Sequence, residues 1–474
     1  MVNLKKIFSI LRPVLLGLIL LGIAAVITHN LFFREEAKKD AFRRIRERGY
    51  LIAATDPNSL NYFILRGAPM GYQLELLQTL SKSLGVPLKV IAVNNISRLF
   101  YYLDHNAVDV IALNLPMTSH GRKLARFSDP MGETRLVLVQ RKPSGNKKDT
   151  TLFVADPGMF PADTIYVQNN PFFDPLYNTF VKNTHNNAVL KQLTEVSQED
   201  LVRMVSKGEI NYALCQENVA MVCKRSYWNL DASVLAFSLY SWGWVVNSHS
   251  DSLRTAINAW LGEYKATGGL KKTYLNYFDN QRIVGVMQSD YFSVTGSRLS
   301  PYDKEIREYS RWINWDWRLL ASLVYEESNF IPGQISSRSA SGLMQLMPET
   351  AAKFGADSTS SAAQQIAAGV KYVRYLDQQL PEEITDPRER IYFALAAYNI
   401  GINRVLSARE KAEKYGKDKN RWNGHVDYFL LRRSRTDPYA NADSTEQYPM
   451  DYKMEGFVDN IITRYFHYKN LIPE

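Results

Sequence analysis

Two adjacent glutamates, Glu326 and Glu327, are the side chains whose type and spacing most directly suggest chemistry. They open the stretch EESNFIPGQISSRSASGLMQ, and no further carboxylate follows until Glu349. Enzymes that cleave sugar chains commonly use two carboxyl groups, one on each side of the bond. Here one glutamate must act alone, or the fold must bring a second carboxylate from elsewhere in the chain.

The segment DWRLLASLVYEES at 316–328 predicts a helix with Asp316 as its N-cap. At about 100° per residue, one face carries four apolar side chains, those of Leu319, Leu320, Leu323 and Val324. Glu327 falls in the middle of this face, and Glu326 lies about 100° away from it. Apolar surroundings would keep the Glu327 carboxyl protonated, with a pKa of about 6, as a general acid requires. The alternative is that both glutamates are exposed at a frayed helix end.

Two further motifs follow this helix. The stretch SSRSASGLMQLMPETA at 336–351 is rich in small residues, which suits a tight loop against a ligand, and Pro348 then begins another helix. The stretch FALAAYNIGINRV at 393–405 predicts a helix of small residues that ends before Gly401.

In this order, Glu327-Ser328, GLMQLMPETA and AYNIG resemble the SLT lytic transglycosylase family of lysozyme-like domains. The resemblance implies a mainly α-helical domain over residues 300–474, acting on peptidoglycan, with Glu327 as the single catalytic acid and base. It also implies sugar-binding roles for five residues, namely Ser336, Gln345, Met347, Tyr398 and Asn399. For each of these, packing or turn formation remains the alternative.

The family chemistry explains how one carboxyl group suffices. Glu327 would protonate the oxygen between N-acetylmuramic acid and N-acetylglucosamine, and the substrate's acetamido group would stabilise the oxocarbenium ion. Glu327 would then take the proton from the C6 hydroxyl, closing a 1,6-anhydro ring without consuming water.

Residues 49–278 alternate short β-rich runs with helical patterns, which predicts a parallel sheet with crossover helices. Predicted strands include LIAAT (51–55), LKVIAV (88–93), VDVIALNL (108–115), LFVAD (152–156), TIYVQ (164–168) and INYALCQ (210–216). The order GYQLEL, VDVIA, Arg122 and FSDP resembles the periplasmic solute-binding proteins of family 3. That resemblance implies a two-lobed α/β domain that clamps a small ligand.

Arg122 stands at the position where such binders grip the ligand carboxylate, and a guanidinium can bind a carboxylate with two hydrogen bonds. Two departures are Met117, where a hydroxyl residue is common, and Gln216, where an aspartate is usual. These departures favour a peptide ligand or a purely structural role over a free amino acid. A surface salt bridge is the alternative for Arg122.

The overall composition supports an ordinary globular protein with two domains. The chain has 474 residues, of which 46% are hydrophobic and 22% charged, and a net charge of +9. This charge suits an anionic polymer or membrane surface, while no nucleic-acid-binding motif is present. The seven histidines show no metal-ligand spacing, so we expect neither metal nor cofactor. Cys215 and Cys223 could form one disulfide or remain two buried thiols.

The amino terminus predicts export. VLLGLILLGIAAVI at 14–27 follows Lys5, Lys6 and Arg12, and it indicates a membrane anchor or a cleaved signal peptide. The absence of a clear cleavage site favours an uncleaved anchor, and hence a membrane-associated periplasmic protein. The predicted organisation is an anchor with a basic flank (1–48), a solute-binding-like domain (49–278), a linker (279–299) and a lysozyme-like domain (300–474).

Two functional hypotheses remain from the sequence. The first is a peptidoglycan lytic transglycosylase whose amino-proximal domain regulates it or positions substrate, with a water-using muramidase as a variant at the same site. The second is an exported solute-binding sensor whose carboxyl-terminal domain only binds the cell wall.

Overall fold

The computed structural model describes residues 40–143, 153–185, 188–279, 289–294, 298–431 and 456–474. The predicted anchor segment at 14–27 lies outside these residues. Within the described ranges, no helix is both long and apolar enough to span a bilayer. The chain divides into two compact units, the first containing residues up to 62 and from 71 to 284, the second containing residues 63–70 and 285–474.

Residues 40–279 contain short strands and helices in alternation. In chain order these are α1 (Ala41–Arg48), β1 (Leu51–Thr55), β2 (Phe63–Leu65), β3 (Ala68–Met70), α2 (Tyr72–Leu84), β4 (Leu88–Ala92), α3 (Ile96–Asp104), β5 (Val110–Pro116), α4 (Gly121–Leu124), β6 (Arg126–Phe127), β7 (Gly132–Arg141), β8 (Thr164–Gln168), α5 (Asp174–Asn183), β9 (Val189–Leu193), α6 (Gln198–Lys207), β10 (Tyr212–Gln216), α7 (Glu217–Ser226), β11 (Leu230–Val246), α8 (Asp251–Ala266) and α9 (Gly269–Tyr274).

The first unit is built on one mixed sheet in the order β4-β1-β5-β11-β7-β10-β8-β9, with β6 paired to β11. The predicted parallel pairing is confirmed at both ends, where β1 pairs with β4 and β5, and β8 with β9 and β10. It is wrong at the centre, because β7 and β11 run antiparallel to their neighbours. The 17-residue β11 joins the two parallel halves.

Most predicted boundaries in this unit are confirmed. The helix at 72–84 ends at Gly85, whose φ of 67° is the left-handed conformation that a glycine adopts without steric cost. The prediction of a strand at LFVAD is wrong for the described residues 153–156. There the Asp156 side chain instead accepts a hydrogen bond from the Gly158 backbone at 2.8 Å and caps a short turn of 3-10 helix.

The core of this unit lies on the two faces of the sheet. Residues Val110–Leu115 of β5 are all buried, as expected of a strand covered on both sides. Cys215 in β10 and Cys223 in α7 are both free thiols, so the disulfide that the sequence left open is not formed. Burial raises the pKa of both thiols, which makes them poor nucleophiles.

The second unit is mainly helical. Its elements are β12 (Phe292–Ser293), α10 (Asp303–Ser310), α11 (Trp317–Ser328), α12 (Pro348–Phe354), α13 (Ala362–Gln379), α14 (Pro387–Ile400), α15 (Ile402–Lys414), α16 (Asp427–Leu431) and α17 (Phe457–Leu471). Helix α10 begins at Asp303. The Asp303 carboxylate accepts hydrogen bonds from the backbones of Leu299 and Ser300, which fixes this entry.

A hairpin of β2 and β3, residues 63–70, is part of the second unit although flanking segments of the chain belong to the first. Strand β2 pairs with β12. At the hairpin turn, the Tyr468 hydroxyl of α17 donates to the Gly67 carbonyl at 2.7 Å. A Cβ atom on Gly67 would lie 2.6 Å from both the Tyr325 and Phe330 rings, so only glycine permits this approach.

Candidate functional site

Glu327 lies in the last turn of α11, where helical phase places it. The Asp316 side chain caps the helix by accepting from the Arg318 backbone at 2.9 Å. The predicted apolar face is confirmed, because Leu319, Leu320, Leu323 and Val324 are all buried. Asn329, with φ of 50°, then ends the helix in the left-handed conformation.

The Glu327 carboxyl is a weak acid in this environment. Burial raises its pKa to about 8, and the negative charge of Glu326 adds to the effect. Among the residues that the structure describes, none gives Glu327 a hydrogen bond or an ion pair. A group with this pKa is about nine-tenths protonated at pH 7, and it can therefore donate a proton to a substrate.

The neighbouring Glu326, by contrast, is paired with side chains of another helix. Its carboxylate forms an ion pair with Arg464 at 2.7 Å and accepts a hydrogen bond from Asn460 at 3.1 Å. Both partners lie on α17. The Ser322 hydroxyl of α11 also donates a hydrogen bond to the Ile461 carbonyl of α17 at 2.7 Å. Glu326 therefore fastens α11 to α17 and leaves Glu327 as the unpaired acid.

The loop between α11 and α12 is held by its own side chains. Ser328 donates to the Leu343 carbonyl at 2.9 Å, so the end of α11 is tied to this loop. Ser336 accepts from the Ala340 backbone at 3.0 Å. Gln345 donates from Nε2 to the carbonyls of Gln334 and Gly342, both at 2.9 Å. Ser336 and Gln345, both expected to bind sugar, thus shape the loop, and their contact with sugar stays a prediction.

Tyr398 lies between this loop and Glu327. Its hydroxyl donates to the Met344 carbonyl at 2.6 Å, and its ring is buried. Burial raises the pKa of Tyr398 well above its usual range, and the Glu327 charge contributes to the rise. This electrostatic effect indicates that Tyr398 lies near Glu327, while its predicted sugar-binding role stays a prediction.

The two other predicted sugar-binding residues are accessible. Asn399 is exposed on α14 beside Tyr398, and Gly401, with φ of 87°, ends that helix as predicted. Met347 is exposed immediately before α12. The apolar side chains of Ile331 and Ile335 are also exposed on the loop, and sequence reasoning missed them because no local pattern marks them.

Arg122 is not among the residues that line a cavity found in the first unit. It is exposed on the four-residue helix α4. The cavity is lined by Asp56, Asn58, Leu60, Asn61, Ile96, Leu113, Asn114, Leu115, Gln168, Asn170, Phe173, Gln198, Glu199, Gln216, Val219 and Phe278. Of Met117, Arg122 and Gln216, the three residues compared above with solute-binding proteins, only Gln216 lines the cavity. The Gln216 side chain donates a hydrogen bond to the Asn114 carbonyl at 3.1 Å. Among the described residues, no cluster of acidic, histidine and cysteine side chains could hold a metal ion.

Residues 305–422 match the Transglycosylase SLT domain, and residues 51–280 match the bacterial extracellular solute-binding proteins of family 3. The chain combines a family 3 solute-binding domain with an SLT domain. Glu327, the loop after it, Tyr398 and Asn399 all lie inside the SLT match. Both resemblances drawn from the sequence are thereby confirmed.

Several relatives that align over most of the chain carry the name "Membrane-bound lytic murein transglycosylase F". The relative from Desulfosudis oleivorans is 27% identical over 94% of this chain and 96% of its own length. The relative from Pseudomonas fluorescens is 28% identical over 81% of this chain and 78% of its own length. The relative from Stutzerimonas stutzeri is 29% identical over 85% of this chain and 82% of its own length.

Solved structures similar to the solute-binding domain include a mutant of ArgBP from T. maritima, with 20% identity and a TM-score of 0.43. That match covers 51% of this chain and 100% of the solved chain. Another is the amino acid ABC transporter substrate-binding protein AbpA from Streptococcus pneumoniae, with 18% identity and a TM-score of 0.44. It covers 50% of this chain and 98% of the solved chain. The α/β fold expected from the sequence is confirmed by the mixed sheet of the first unit and by the family 3 match over residues 51–280.

Proposed function

We propose that this chain is a peptidoglycan lytic transglycosylase that cleaves the β-1,4 bond between N-acetylmuramic acid and N-acetylglucosamine. The observation that carries the proposal is the unpaired, desolvated Glu327 carboxyl within the SLT domain. Glu327 donates its proton to the glycosidic oxygen as the bond breaks, and the N-acetylglucosamine side leaves as an alcohol.

In the second half of the reaction Glu327 acts as a base. It removes the proton from the C6 hydroxyl of the muramyl residue, and the C6 oxygen bonds to C1 to give the 1,6-anhydro ring. Two-carboxylate hydrolases place their second group about 5 to 9.5 Å from the first. Of the described carboxyl groups only Glu326 acts appreciably on Glu327, and Arg464 holds it in an ion pair. Because Glu326 is held by Arg464, it is poorly placed to act as the second group of a hydrolase.

Mass spectrometry of the products of murein digestion tests this proposal. Lytic cleavage gives muropeptides ending in an anhydro sugar, each one water lighter than the hydrolytic product with a reducing end. Reducing ends alone would identify a muramidase. Binding to murein without release of any fragment would support the alternative of an exported sensor whose SLT domain only binds the cell wall.

We further propose that the protein is periplasmic, that its N-terminal segment holds it at a membrane, and that the solute-binding domain regulates lysis or positions substrate. The names of the relatives and the basic and apolar N-terminal sequence support the location. Fractionation of cells producing the full chain tests it. If the cell removes about the first 27 residues and the protein is recovered in the soluble periplasmic fraction, the segment is a cleaved signal peptide and not an anchor.

A further inference from the structure

A cavity of about 100 Å³ lies in the second unit, against the loop that joins α11 to α12. Its walls come from loop residues between 332 and 346, from residues between 351 and 358, and from Gln365 on α13. Neither Glu327 nor the five residues expected to bind sugar are among its lining residues. The cavity is therefore a separate feature from the proposed cleavage site.

The cavity and the expected sugar-binding residues nevertheless share one loop. Gln345 donates from Nε2 to the carbonyl of Gln334 at 2.9 Å, and Gln334 lines the cavity. Tyr398 donates to the carbonyl of Met344 at 2.6 Å, and Met344 also lines it. A murein strand held by Gln345 and Tyr398 would thus lie against the same loop, and its side branches can reach the cavity.

Gln334 carries an amide group that the protein itself does not use. Its side chain forms no hydrogen bond with any residue that the structure describes, and its Oε1 atom is buried. Buried polar atoms normally have a hydrogen-bond partner, so an unpartnered one calls for an explanation. An N–H group of a ligand would satisfy Oε1, and Nε2 can donate to a carbonyl. A secondary amide offers both groups.

Asp357 gives the mouth of the cavity a negative charge. Its exposed carboxylate accepts hydrogen bonds from the backbone and the hydroxyl of Thr359, both at 2.8 Å, and from the Ser360 hydroxyl at 3.1 Å. The hydroxyl of Thr359 lowers the pKa of Asp357, which is therefore an anion at neutral pH. Within the described part of the chain, no lysine, arginine or histidine forms an ion pair with it. The position suits an ammonium group.

The rest of the lining is apolar and leaves room for a small group. Leu346, Ala351 and Ala356 contribute to the walls, together with Ile335, which is 73% exposed. An apolar cavity of about 150 Å³ holds a benzene molecule. A volume of about 100 Å³ therefore suits a smaller group, such as an alanyl residue, better than a sugar ring.

We propose that this cavity binds the stem peptide of the murein strand under cleavage, the short peptide that branches from the lactyl group of the muramyl residue. A peptide amide pairs with Gln334, a small apolar side chain occupies the cavity, and a free ammonium of the peptide pairs with Asp357. The inference rests on the proposed lytic function and deepens it, because the SLT domain then selects for the peptide as well as for the sugar. The acetamido group of a sugar could also pair with Gln334, but it is uncharged and would gain nothing from Asp357.

Cleavage of three soluble, un-cross-linked murein preparations tests the proposal. The first keeps its stem peptides with free amino groups, the second is the same material with these amino groups acetylated, and the third has lost its stem peptides to an amidase. The unaltered chain should cleave the first with a kcat/KM at least about fivefold higher than either of the others, because an ion pair to Asp357 lowers KM. Equal values for the three preparations would overturn the proposal.

Variants assign the preference to this cavity. Gln334→Met keeps the length of the side chain without its amide, and Asp357→Asn keeps an oxygen acceptor without its charge. Each should reduce the preference for stem peptides by at least about threefold. The exposed Gln378 on α13 and Glu349 on α12 supply controls, since Gln378→Met and Glu349→Gln should keep the preference. A folding defect lowers the rates on all three preparations alike, so the preference itself reports the contact. A preference that both cavity variants retain would overturn the assignment.

Binding of fluorescently labelled strands to Glu327→Gln repeats the comparison without turnover. Strands with stem peptides should bind at least about fivefold more tightly than stripped strands, and addition of Asp357→Asn should remove most of this difference. Anhydro products formed without any preference for stem peptides would overturn this inference alone. A preference in binding, with no cleavage by the unaltered chain, would instead support the peptide site and contradict the lytic function.

Discussion

Glu326 and Glu327 are adjacent on the last turn of α11, yet only Glu326 is paired, through Arg464 at 2.7 Å. The ion pair fastens α11 to α17, and the unpaired carboxyl of Glu327 is left with a pKa of about 8. Two chemically identical side chains thus acquire different roles from their environments alone.

The alkaline limit of activity should depend on Glu326. Its negative charge raises the pKa of Glu327, so Glu326→Gln should lower that pKa and move the alkaline limb of the pH–rate profile to lower pH. The exposed Glu349 on α12 provides the control, since Glu349→Gln should leave the limb in place. An unmoved limb in Glu326→Gln would mean that Glu327 does not set it.

The pH dependence of stability should reveal the same carboxyl. Burial raises the pKa of Glu327 from 4.5 to about 8, so the folded state holds a proton that the unfolded chain releases over this range. Folding stability contributed by the neutral group is therefore present below pH 4.5 and is lost as pH rises towards 8. Replacement by glutamine removes this loss, on the order of a few kcal/mol.

Thermal unfolding between pH 4 and pH 9 measures the effect. The melting temperature of Glu327→Gln should rise relative to that of the unaltered chain as pH increases, while the two should converge at the acidic end. A difference that stays constant over the range would show that Glu327 titrates normally.

The hairpin turn at Gly67 should support the catalytic helix. In Gly67→Val, a Cβ would press on Tyr325 and Phe330, which flank the two glutamates, and overpacking of this kind costs about 1 to 3 kcal/mol. Gly416, with φ of 72° and no atom within 4 Å of an added Cβ, provides a control with similar backbone strain. Gly67→Val should lose more stability and more lytic activity than Gly416→Val. Equal losses would mean that only backbone strain matters.

Gln345 and Asn399 should separate loop shape from substrate contact. Gln345→Ala removes two hydrogen bonds that hold the loop, so we expect a loss of about 1 to 3 kcal/mol in unfolding free energy together with reduced activity. Asn399 is exposed, and Asn399→Ala should reduce activity while leaving the melting temperature unchanged. Unchanged activity in Asn399→Ala would remove it from the proposed sugar-binding residues.

Sequence patterns within a single helix predicted the features that depend on that helix alone. Helical phase placed Glu327 on the apolar face of α11, and the Gly401 signal marked the end of α14. The contacts of Glu326 were not predictable, because its hydrogen-bond donor Asn460 lies 134 residues away and its ion-pair partner Arg464 is farther still. Only the folded packing of α17 on α11 brings them together.

Two other features escaped prediction for the same physical reason. Short-range patterns do not reveal the antiparallel pairing of β7 and β11, because this pairing depends on partners distant in sequence. Residues 63–70 look like part of the first unit from their position in the chain. Their contacts with β12, Tyr325 and Tyr468 nevertheless make the hairpin part of the second.

Product analysis of intact murein sacculi treated with the unaltered chain, Glu327→Gln and Glu349→Gln tests the central claim most directly. The unaltered chain and Glu349→Gln should release anhydro-muropeptides at similar rates, while Glu327→Gln, still folded and still bound to murein, should release them at least about a hundredfold more slowly. Undiminished release of anhydro-muropeptides by Glu327→Gln would contradict the assignment of this carboxyl as the proton donor.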